Sequence, residues 1–241
     1  MTPLFERPHH RRVARVLHAL DGPLLRERAC LFGGGTAIAL RHGEYRESLD
    51  IDFLVSDLAA YRQLRQALTS ADGLAAITRA GVSPPAFQQA GELRADQYGI
   101  RGRVLVDDRP IKLEIVFEAR IPLDPPSRAD ALCGVPTLTP LDMAASKLLA
   151  NADRWRDDGV FSRDLIDLAM MKPPLPLLRQ AVAKAEGAYG SAVLRDLQNA
   201  IERMRERTGW LERCMQLMGM ADTQAQVWQR IRALRRVLQN R

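Results

Sequence analysis

The chain has 241 residues, of which 46% are hydrophobic, and this suits one large domain or two small ones with a substantial buried core. Its formal net charge of +6 suits a polyanionic partner such as a nucleotide, RNA, DNA or an acidic protein. We find no apolar run of membrane-span length and no signal-peptide core near the N-terminus. The composition therefore predicts a cytoplasmic protein without membrane contact.

The cysteines and the histidine pair give no sign of a metal site. Cys30, Cys133 and Cys214 lie far apart among apolar residues, which favours buried thiols in a reducing compartment over disulfides or zinc ligands. His9 and His10 lie in a basic stretch without any metal-ligand spacing, so we expect both side chains to be solvated.

Helices and strands alternate in the first half of the chain. An apolar stripe predicts an amphipathic helix that ends at residue 20, where Asp21-Gly22-Pro23 stops it. Further apolar patterns predict helices over 36–42 and 59–68 and strands over 30–32, 49–55, 97–106 and 111–117. The last two strands are separated by Asp107-Asp108-Arg109-Pro110, which predicts a hairpin turn. We expect strands to end near residue 120.

After Pro140 the pattern becomes helical. Segments with helical periodicity are predicted over 141–150, 163–171, 175–186, 192–207 and 224–238. The last of these carries an apolar stripe surrounded by arginines, which fits either a docked helix with a solvated basic rim or a surface for RNA. The pattern predicts an α+β part over 1–138 and an all-helical part over 139–241.

Two aspartates on one predicted strand suggest a metal site. Asp50 and Asp52 are two residues apart, so their side chains leave the same face, where their repulsion calls for a cation. Mg²⁺ prefers such oxygen ligands and bridges to phosphates, and Mn²⁺ is the alternative. Glu114 on a later strand is the candidate third ligand of a two-ion site. The plainer readings are a solvated strand edge for the aspartates and a surface position for Glu114.

A glycine-rich turn precedes the aspartates. Gly33-Gly34-Gly35-Thr36 joins a predicted strand to a predicted helix. Glycines allow a close approach of the backbone to a phosphate, and a helix N-terminus favours negative charge. We therefore expect Gly34, Gly35 and Thr36 to bind the phosphates of a nucleotide, although such a turn can also be purely structural.

The order of these segments is that of the DNA polymerase β-like nucleotidyltransferases. Within that superfamily the chain most resembles the AbiEii/AbiGii toxin family, which typically has Gly-Gly-Thr-Ala-Leu followed by Arg-x-Ser-x-Asp-Ile-Asp. The matching residues here are Gly34-Gly35-Thr36-Ala37-Ile38 and Arg46-Glu47-Ser48-Leu49-Asp50-Ile51-Asp52. The resemblance implies a polymerase β-like mixed sheet with helices, followed by an all-helical part that completes the active-site cleft.

A downstream helical motif extends the resemblance. It is matched here by Lys147, Arg154 and Arg163-Asp164-Leu165-Ile166-Asp167-Leu168. The resemblance implies that Lys147 contacts phosphates, that Asp164 is a catalytic or substrate-orienting acid, and that Asp167 braces the helix or an arginine. It likewise places Arg46 and Ser48 in the nucleotide site. The alternative is a solvated lysine and surface ion pairs.

Two positions depart from the family pattern. Many relatives have a lysine where this chain has Gly33, and many have an aspartate where it has Glu114. Glutamate is one methylene longer and can still bind a metal. Both departures bear on rate and nucleotide preference.

The resemblance implies a Mg²⁺-dependent transfer of a nucleoside monophosphate from an NTP to a macromolecular acceptor such as tRNA. It also implies a toxin of a type IV toxin–antitoxin or abortive-infection system, with a cognate antitoxin that need not bind it directly. Two alternatives stay open. One is a nucleotidyltransferase for small molecules of the antibiotic type, and the other is a non-catalytic nucleotide-binding regulator.

Overall fold

A computed structural model describes residues 5–81 and 85–239 of the chain. The chain divides into two compact units. The first, here called the α/β unit, comprises Met1–Arg41 and Ser48–Thr139, and the second, the helical unit, comprises His42–Glu47 and Pro140–Arg241. The predicted domain boundaries, 1–138 and 139–241, stay a prediction.

The α/β unit carries four α-helices and eight strands in its described residues. The helices are α1 (Pro8–Ala19), α2 (Gly22–Glu27), α3 (Gly34–Arg41) and α4 (Leu58–Leu68). The strands are β1 (Leu31–Gly33), β2 (Ile51–Val55), β3 (Gln88–Gln89), β4 (Arg94–Ala95), β5 (Gly99–Val106), β6 (Arg109–Phe117), β7 (Ala131–Leu132) and β8 (Val135–Pro136). A 3₁₀ helix covers Gly73–Ile77.

Six of these strands form one mixed sheet in the order β1-β2-β6-β5-β3, and β4 also pairs with β5. Strands β2 and β6 run parallel, whereas the other neighbours run antiparallel. One face of β2 and β6 is apolar and buried, as the alternation predicts, with Ile51, Phe53, Leu113 and Ile115 inaccessible or nearly so. The predicted α+β fold class with its mixed sheet is thus confirmed.

The hairpin between β5 and β6 forms where the sequence places it. Asp107 and Asp108 have positive φ angles of 50° and 57°, which is the conformation of a two-residue turn that matches the twist of antiparallel strands. Aspartate tolerates this conformation better than most residues. Arg109 and Pro110, which were predicted to belong to the turn, are instead the first residues of β6.

The first helix ends before Asp21, as predicted, and the short helix α2 follows because the Asp21 side chain accepts a hydrogen bond from the Leu24 amide and caps it. Two other expectations for this unit need correction. Strands do not end near residue 120, since β7 and β8 pair with each other beyond it. Strand β2 begins at Ile51, not at Leu49, so Asp50 directly precedes it.

The helical unit contains six α-helices in its described residues. They are α5 (Pro140–Arg154), α6 (Arg163–Met170), α7 (Leu175–Tyr189), α8 (Ala192–Glu206), α9 (Trp210–Leu217) and α10 (Gln224–Ala233). Two 3₁₀ helices cover Asp158–Val160 and Leu234–Val237. All predicted helices are present and α9 is additional. The apolar stripe of α10 is buried at Val227 and Ile231, so this helix is docked, as one of the two interpretations proposed.

The three cysteines are free and buried, as predicted. Burial raises the pKa of Cys133 to about 11, so this thiol stays protonated at neutral pH. Within the described ranges, no helix has the length and apolarity needed to cross a membrane.

Candidate active site

Two of the predicted metal ligands lie side by side in the sheet. Asp52 of β2 is the register partner of Glu114 in the parallel strand β6. Because their neighbours Ile51 and Leu113 are buried on the opposite face, both carboxylates leave the other, accessible face of the sheet. On its other side Asp52 pairs with Gly33, which has no side chain to cover the carboxylate.

The glycine turn lies directly against Asp52. Gly34 is the first residue of α3 and has a φ angle of 65°, a conformation that glycine adopts most easily. A Cβ atom at this position would lie only 2.9 Å from the Cβ of Asp52 and closer still to its carboxylate oxygen. The absence of a side chain at Gly34 therefore allows the start of α3 and the carboxylate to approach each other.

The backbone before β2 is fixed by side chains of two helices. The Thr36 hydroxyl of α3 is hydrogen-bonded to the carbonyl oxygen of Asp50 at 2.5 Å and to the Ser48 hydroxyl at 2.8 Å. From α1, His10 accepts a hydrogen bond from the Ser48 amide at 3.1 Å. Thr36, Ser48 and His10 are all buried, so these bonds position the segment that carries Asp50 and Asp52.

Glu114 is held by two basic side chains. Its carboxylate lies 2.8 Å from the Lys112 ammonium and 3.3 Å from the Arg101 guanidinium. In the described residues no three histidine, cysteine, aspartate or glutamate side chains form a group arranged to hold a metal ion. Asp50, Asp52 and Glu114 thus do not make a closed three-carboxylate cage.

The donor set nevertheless fits Mg²⁺. This ion retains several waters and is usually bound by one or two carboxylates together with substrate phosphates, not by an all-protein cage. Asp52 and Glu114 supply two hard oxygen donors at one position of the sheet, and the space left by Gly34 lies beside one of them. The assignment of Asp50, Asp52 and Glu114 as metal ligands stays a prediction.

A second cluster, here called the buried ion network, lies in the helical unit and centres on Asp167 of α6. Its carboxylate accepts two hydrogen bonds from Arg46, at 2.7 and 3.0 Å, and one from the Tyr45 hydroxyl at 2.5 Å. The Lys147 ammonium of α5 lies 2.6 Å from its other oxygen. The Asp167 side chain is inaccessible to solvent, so this carboxylate depends wholly on its partners.

Lys147 joins Asp167 to a second aspartate. Its ammonium donates to Asp164 at 2.9 Å, and Arg154 donates to the same carboxylate at 2.6 and 3.0 Å. Two buried aspartates are thus surrounded by three basic residues, the third being Arg46. The alternative of a solvated lysine and surface ion pairs is wrong, because Lys147, Asp164 and Asp167 are buried.

The partners fix the charge states of the network. Burial alone would raise the pKa of Asp167, but Arg46 and Lys147 outweigh it and hold that pKa below its usual range. Burial likewise opposes ionisation of Asp164, yet Lys147 and Arg154 lower its pKa strongly. The same attractions raise the pKa of Lys147 against the effect of its burial. All of these groups are therefore charged at neutral pH.

The structure divides the predicted site residues into two groups. Gly34, Gly35, Thr36, Ser48, Asp50, Asp52 and Glu114 belong to the α/β unit, and Arg46, Lys147 and Asp164 to the helical unit. The hydrogen bond of Arg46 to Asp167 agrees with the bracing role that the family motif implies for Asp167. The direct nucleotide contacts predicted for Thr36, Arg46, Ser48 and Lys147 stay predictions, since in this structure these groups bind other protein groups.

Two contributors were missed. His10 was expected to be solvated, but it is buried at Ser48 because α1 places it on the apolar side of the helix with Val13 and Leu17. The helical spacing of these three residues was a usable signal. Tyr45 carries no comparable signal, since only the fold brings it to Asp167.

The mixed sheet, with two adjacent carboxylates behind a glycine turn, is the arrangement of a nucleotidyltransferase. The fold is similar to that of a candidate nucleotidyltransferase from H. pylori, with a TM-score of 0.53 and 14% identity over 95% of this chain and 94% of that one. JHP933 from Helicobacter pylori gives a TM-score of 0.47 and 18% identity over 95% and 91% of the two chains. At 14% identity, the similarity to the first of these two structures concerns the fold alone.

The family itself is defined by sequence. Residues 15–240 match the model of the nucleotidyl transferase AbiEii toxin family of type IV toxin–antitoxin systems, and the chain belongs to this family. No curated protein matches the chain. The resemblance drawn from the motifs is thus confirmed, and the chain is a nucleotidyltransferase of a type IV toxin–antitoxin system. The family implies a nucleotide substrate and an antitoxin partner.

Proposed function

We propose that the chain transfers a nucleoside monophosphate from an NTP to an RNA acceptor such as tRNA, releases pyrophosphate and requires Mg²⁺. The observation that carries this proposal is the adjacent position of Asp52 and Glu114 on the parallel strands β2 and β6. Two adjacent carboxylates on an accessible face supply hard oxygen donors of the kind that Mg²⁺ prefers beside substrate phosphates. The reaction takes place in the cytoplasm, where NTPs and RNA are available.

Asp52 and Glu114 would hold Mg²⁺, with Asp50 as a further ligand just before β2. The bound ion would neutralise charge on the triphosphate and lower the pKa of the attacking hydroxyl. Gly34 and Gly35 would present backbone amides at the N-terminus of α3 to the phosphates. Thr36 and Ser48 would keep Asp50 in place through their hydrogen bonds. The protein thus contributes mainly positioning and electrostatics.

The test is transfer of label from each of the four NTPs to total RNA in the presence of Mg²⁺. We expect labelled RNA with at least one NTP, and loss of labelling by roughly 100-fold or more in Asp52→Asn, since one electrostatic group in a transition state is typically worth that much. Excess EDTA should have the same effect. Asp108→Asn is the matched control, because it makes the same change at an exposed turn position where φ is positive and asparagine is well tolerated.

The possible outcomes separate the alternatives. Equal labelling by Asp52→Asn and Asp108→Asn would overturn the proposed metal site. Transfer to an aminoglycoside panel but not to RNA would instead establish a small-molecule enzyme. A chain that also arrests growth on expression, and loses this effect with Asp52→Asn, would act as a toxin through the transfer itself.

A further inference from the structure

A basic surface lies on the same face of the sheet as the predicted catalytic carboxylates. The register places Glu114 of β6 opposite Arg101 of β5, and Arg101 opposite Arg94 of β4. Two residues further along, Arg103 of β5 is opposite Lys112 of β6. Side chains at paired positions leave the same face. We call Arg94, Arg101, Arg103 and Lys112 the basic face.

The arrangement of the basic face is unfavourable for an isolated protein. In the strand register Arg94 lies opposite Arg101, and Arg103 lies opposite Lys112. Both positions therefore bring like charges directly opposite each other. Like-charged pairs at these positions destabilise a sheet. Their side chains are exposed, with 44% of Arg101 and 47% of Lys112 accessible to solvent. An anionic partner would remove this repulsion.

Acidic side chains form ion pairs with only two of the four basic side chains of this face in the described residues. Asp96 pairs with Arg101, and Glu114 lies near both Arg101 and Lys112. For Arg94 and Arg103, by contrast, the structure gives the guanidinium groups no hydrogen bond or ion pair within residues 5–81 and 85–239. These two arginines are thus available to an external ligand.

An exposed aromatic residue lies in the turn that joins two strands of the basic face. Tyr98 lies in the turn between β4 and β5 and is 64% exposed, which makes it one of few large apolar side chains on the described surface. Surfaces that bind single-stranded nucleic acid combine a basic track for the phosphates with aromatic side chains on which bases stack. An acidic protein partner would need no such ring. The combination therefore favours a nucleic acid.

We infer that the basic face binds the phosphate backbone of a single-stranded RNA end and guides it to Asp52. This inference rests on the proposed function, because it assigns the surface for the acceptor. Neighbouring strands are about 4.8 Å apart, so Arg101 lies roughly 10 Å and Arg94 roughly 14 Å from Asp52 across the sheet. The face thus begins next to the carboxylates and leads away from them. Arginine suits this task, since its planar group binds phosphate through two N–H donors.

The test compares two double variants of the full chain. Arg94→Ala/Arg103→Ala removes the two unmatched arginines without touching the ion pairs of Glu114. Arg62→Ala/Arg65→Ala makes the same change in charge at exposed positions of α4 and serves as the matched control. Binding of a fluorescein-labelled single-stranded RNA is measured by anisotropy without NTP, at several salt concentrations. Circular dichroism and thermal unfolding verify that both variants are folded.

The expected result is a change in the salt dependence of binding. Each lost phosphate contact reduces the slope of log K against log salt by about 0.7 for a single strand, so the first variant should lose about 1.4 and bind roughly 10–30-fold more weakly near 0.1 M salt. The control should keep the slope of the unmodified chain. In the transfer assay the KM for RNA should rise in the first variant, while the KM for the NTP and the kcat at saturating RNA stay the same.

Two results would overturn the inference. One is an equal slope in both double variants, and the other is equally tight binding of polyglutamate, which would indicate a general anion surface. Failure of the proposed function is distinguishable, because binding is measured without transfer. A chain that transfers nothing to RNA but shows the slope difference would refute the proposed reaction and support this surface.

Discussion

Replacement of Asp167 by asparagine should destabilise the protein strongly. The carboxylate is inaccessible to solvent and accepts hydrogen bonds from Arg46 and Tyr45, with Lys147 at 2.6 Å. Asparagine keeps the shape but removes the charge, so Arg46 is left buried without its bidentate acceptor. Breaking a buried ion pair from one side typically costs about 3–5 kcal/mol, because the remaining charge is uncompensated. We expect a loss of this size in the free energy of unfolding.

Urea denaturation followed by circular dichroism measures this loss. Asp158→Asn is the matched control, since Asp158 also binds two arginines in the helical unit but at an exposed site, where such pairs contribute little. Adding Arg46→Met to Asp167→Asn should restore part of the stability, because the uncompensated guanidinium is then gone. If Asp167→Asn cost no more than Asp158→Asn, the buried ion network would not stabilise the fold as we describe.

Two further predictions concern acid and the glycine turn. In the folded protein the pKa values of Asp164 and Asp167 lie below the usual value of about 4. The two ionised carboxylates therefore contribute their full stabilisation above pH 4, and this contribution is lost as the pH falls towards the folded pKa values. Urea midpoints measured from pH 7 to pH 3 should decrease once the pH is below 4, and the decrease should be smaller in Asp167→Asn. Gly34→Ala should reduce nucleotide transfer, because the added Cβ would displace Asp52. Gly43→Ala is the control, since Gly43 also has a positive φ angle but open space around it. This control should cost only about 1 kcal/mol of stability and leave transfer intact.

Local sequence patterns predicted the elements of the fold but not the contacts of the site. The alternation in β6 and the two-residue turn before it are local properties, so both could be deduced from neighbouring residues. The pairing of Asp52 with Glu114 depends on a parallel contact between β2 and β6, which no local pattern specifies. Even so, the order of the motifs was sufficient to select both residues as candidates for one site, and the structure places them side by side.

Helix α6 illustrates why the sequence left the alternative of surface ion pairs open. Spacing alone allowed Asp164 and Asp167 to lie on a solvated face, since charged residues at such positions usually do. In the structure the helix is buried on nearly all sides, with Leu165, Ile166 and Leu168 almost inaccessible. The aspartates are tolerated there only because basic residues distant in sequence reach them, Arg46 across 121 positions.

The spacing of the Arg46-x-Ser48-x-Asp50 motif follows from these contacts. Arg46 is fixed within the helical unit by Asp167, whereas Ser48, two residues later, is fixed within the α/β unit by Thr36 and His10. Asp50 is then held through its own carbonyl oxygen, immediately before β2 begins. Each alternate residue of the motif thus anchors the backbone at a separate point. A metal site as proposed for Asp50 and Asp52 would depend on such support, because the position of its ligands would come from the backbone. The contacts of the family motif therefore position the backbone that carries the predicted metal ligands.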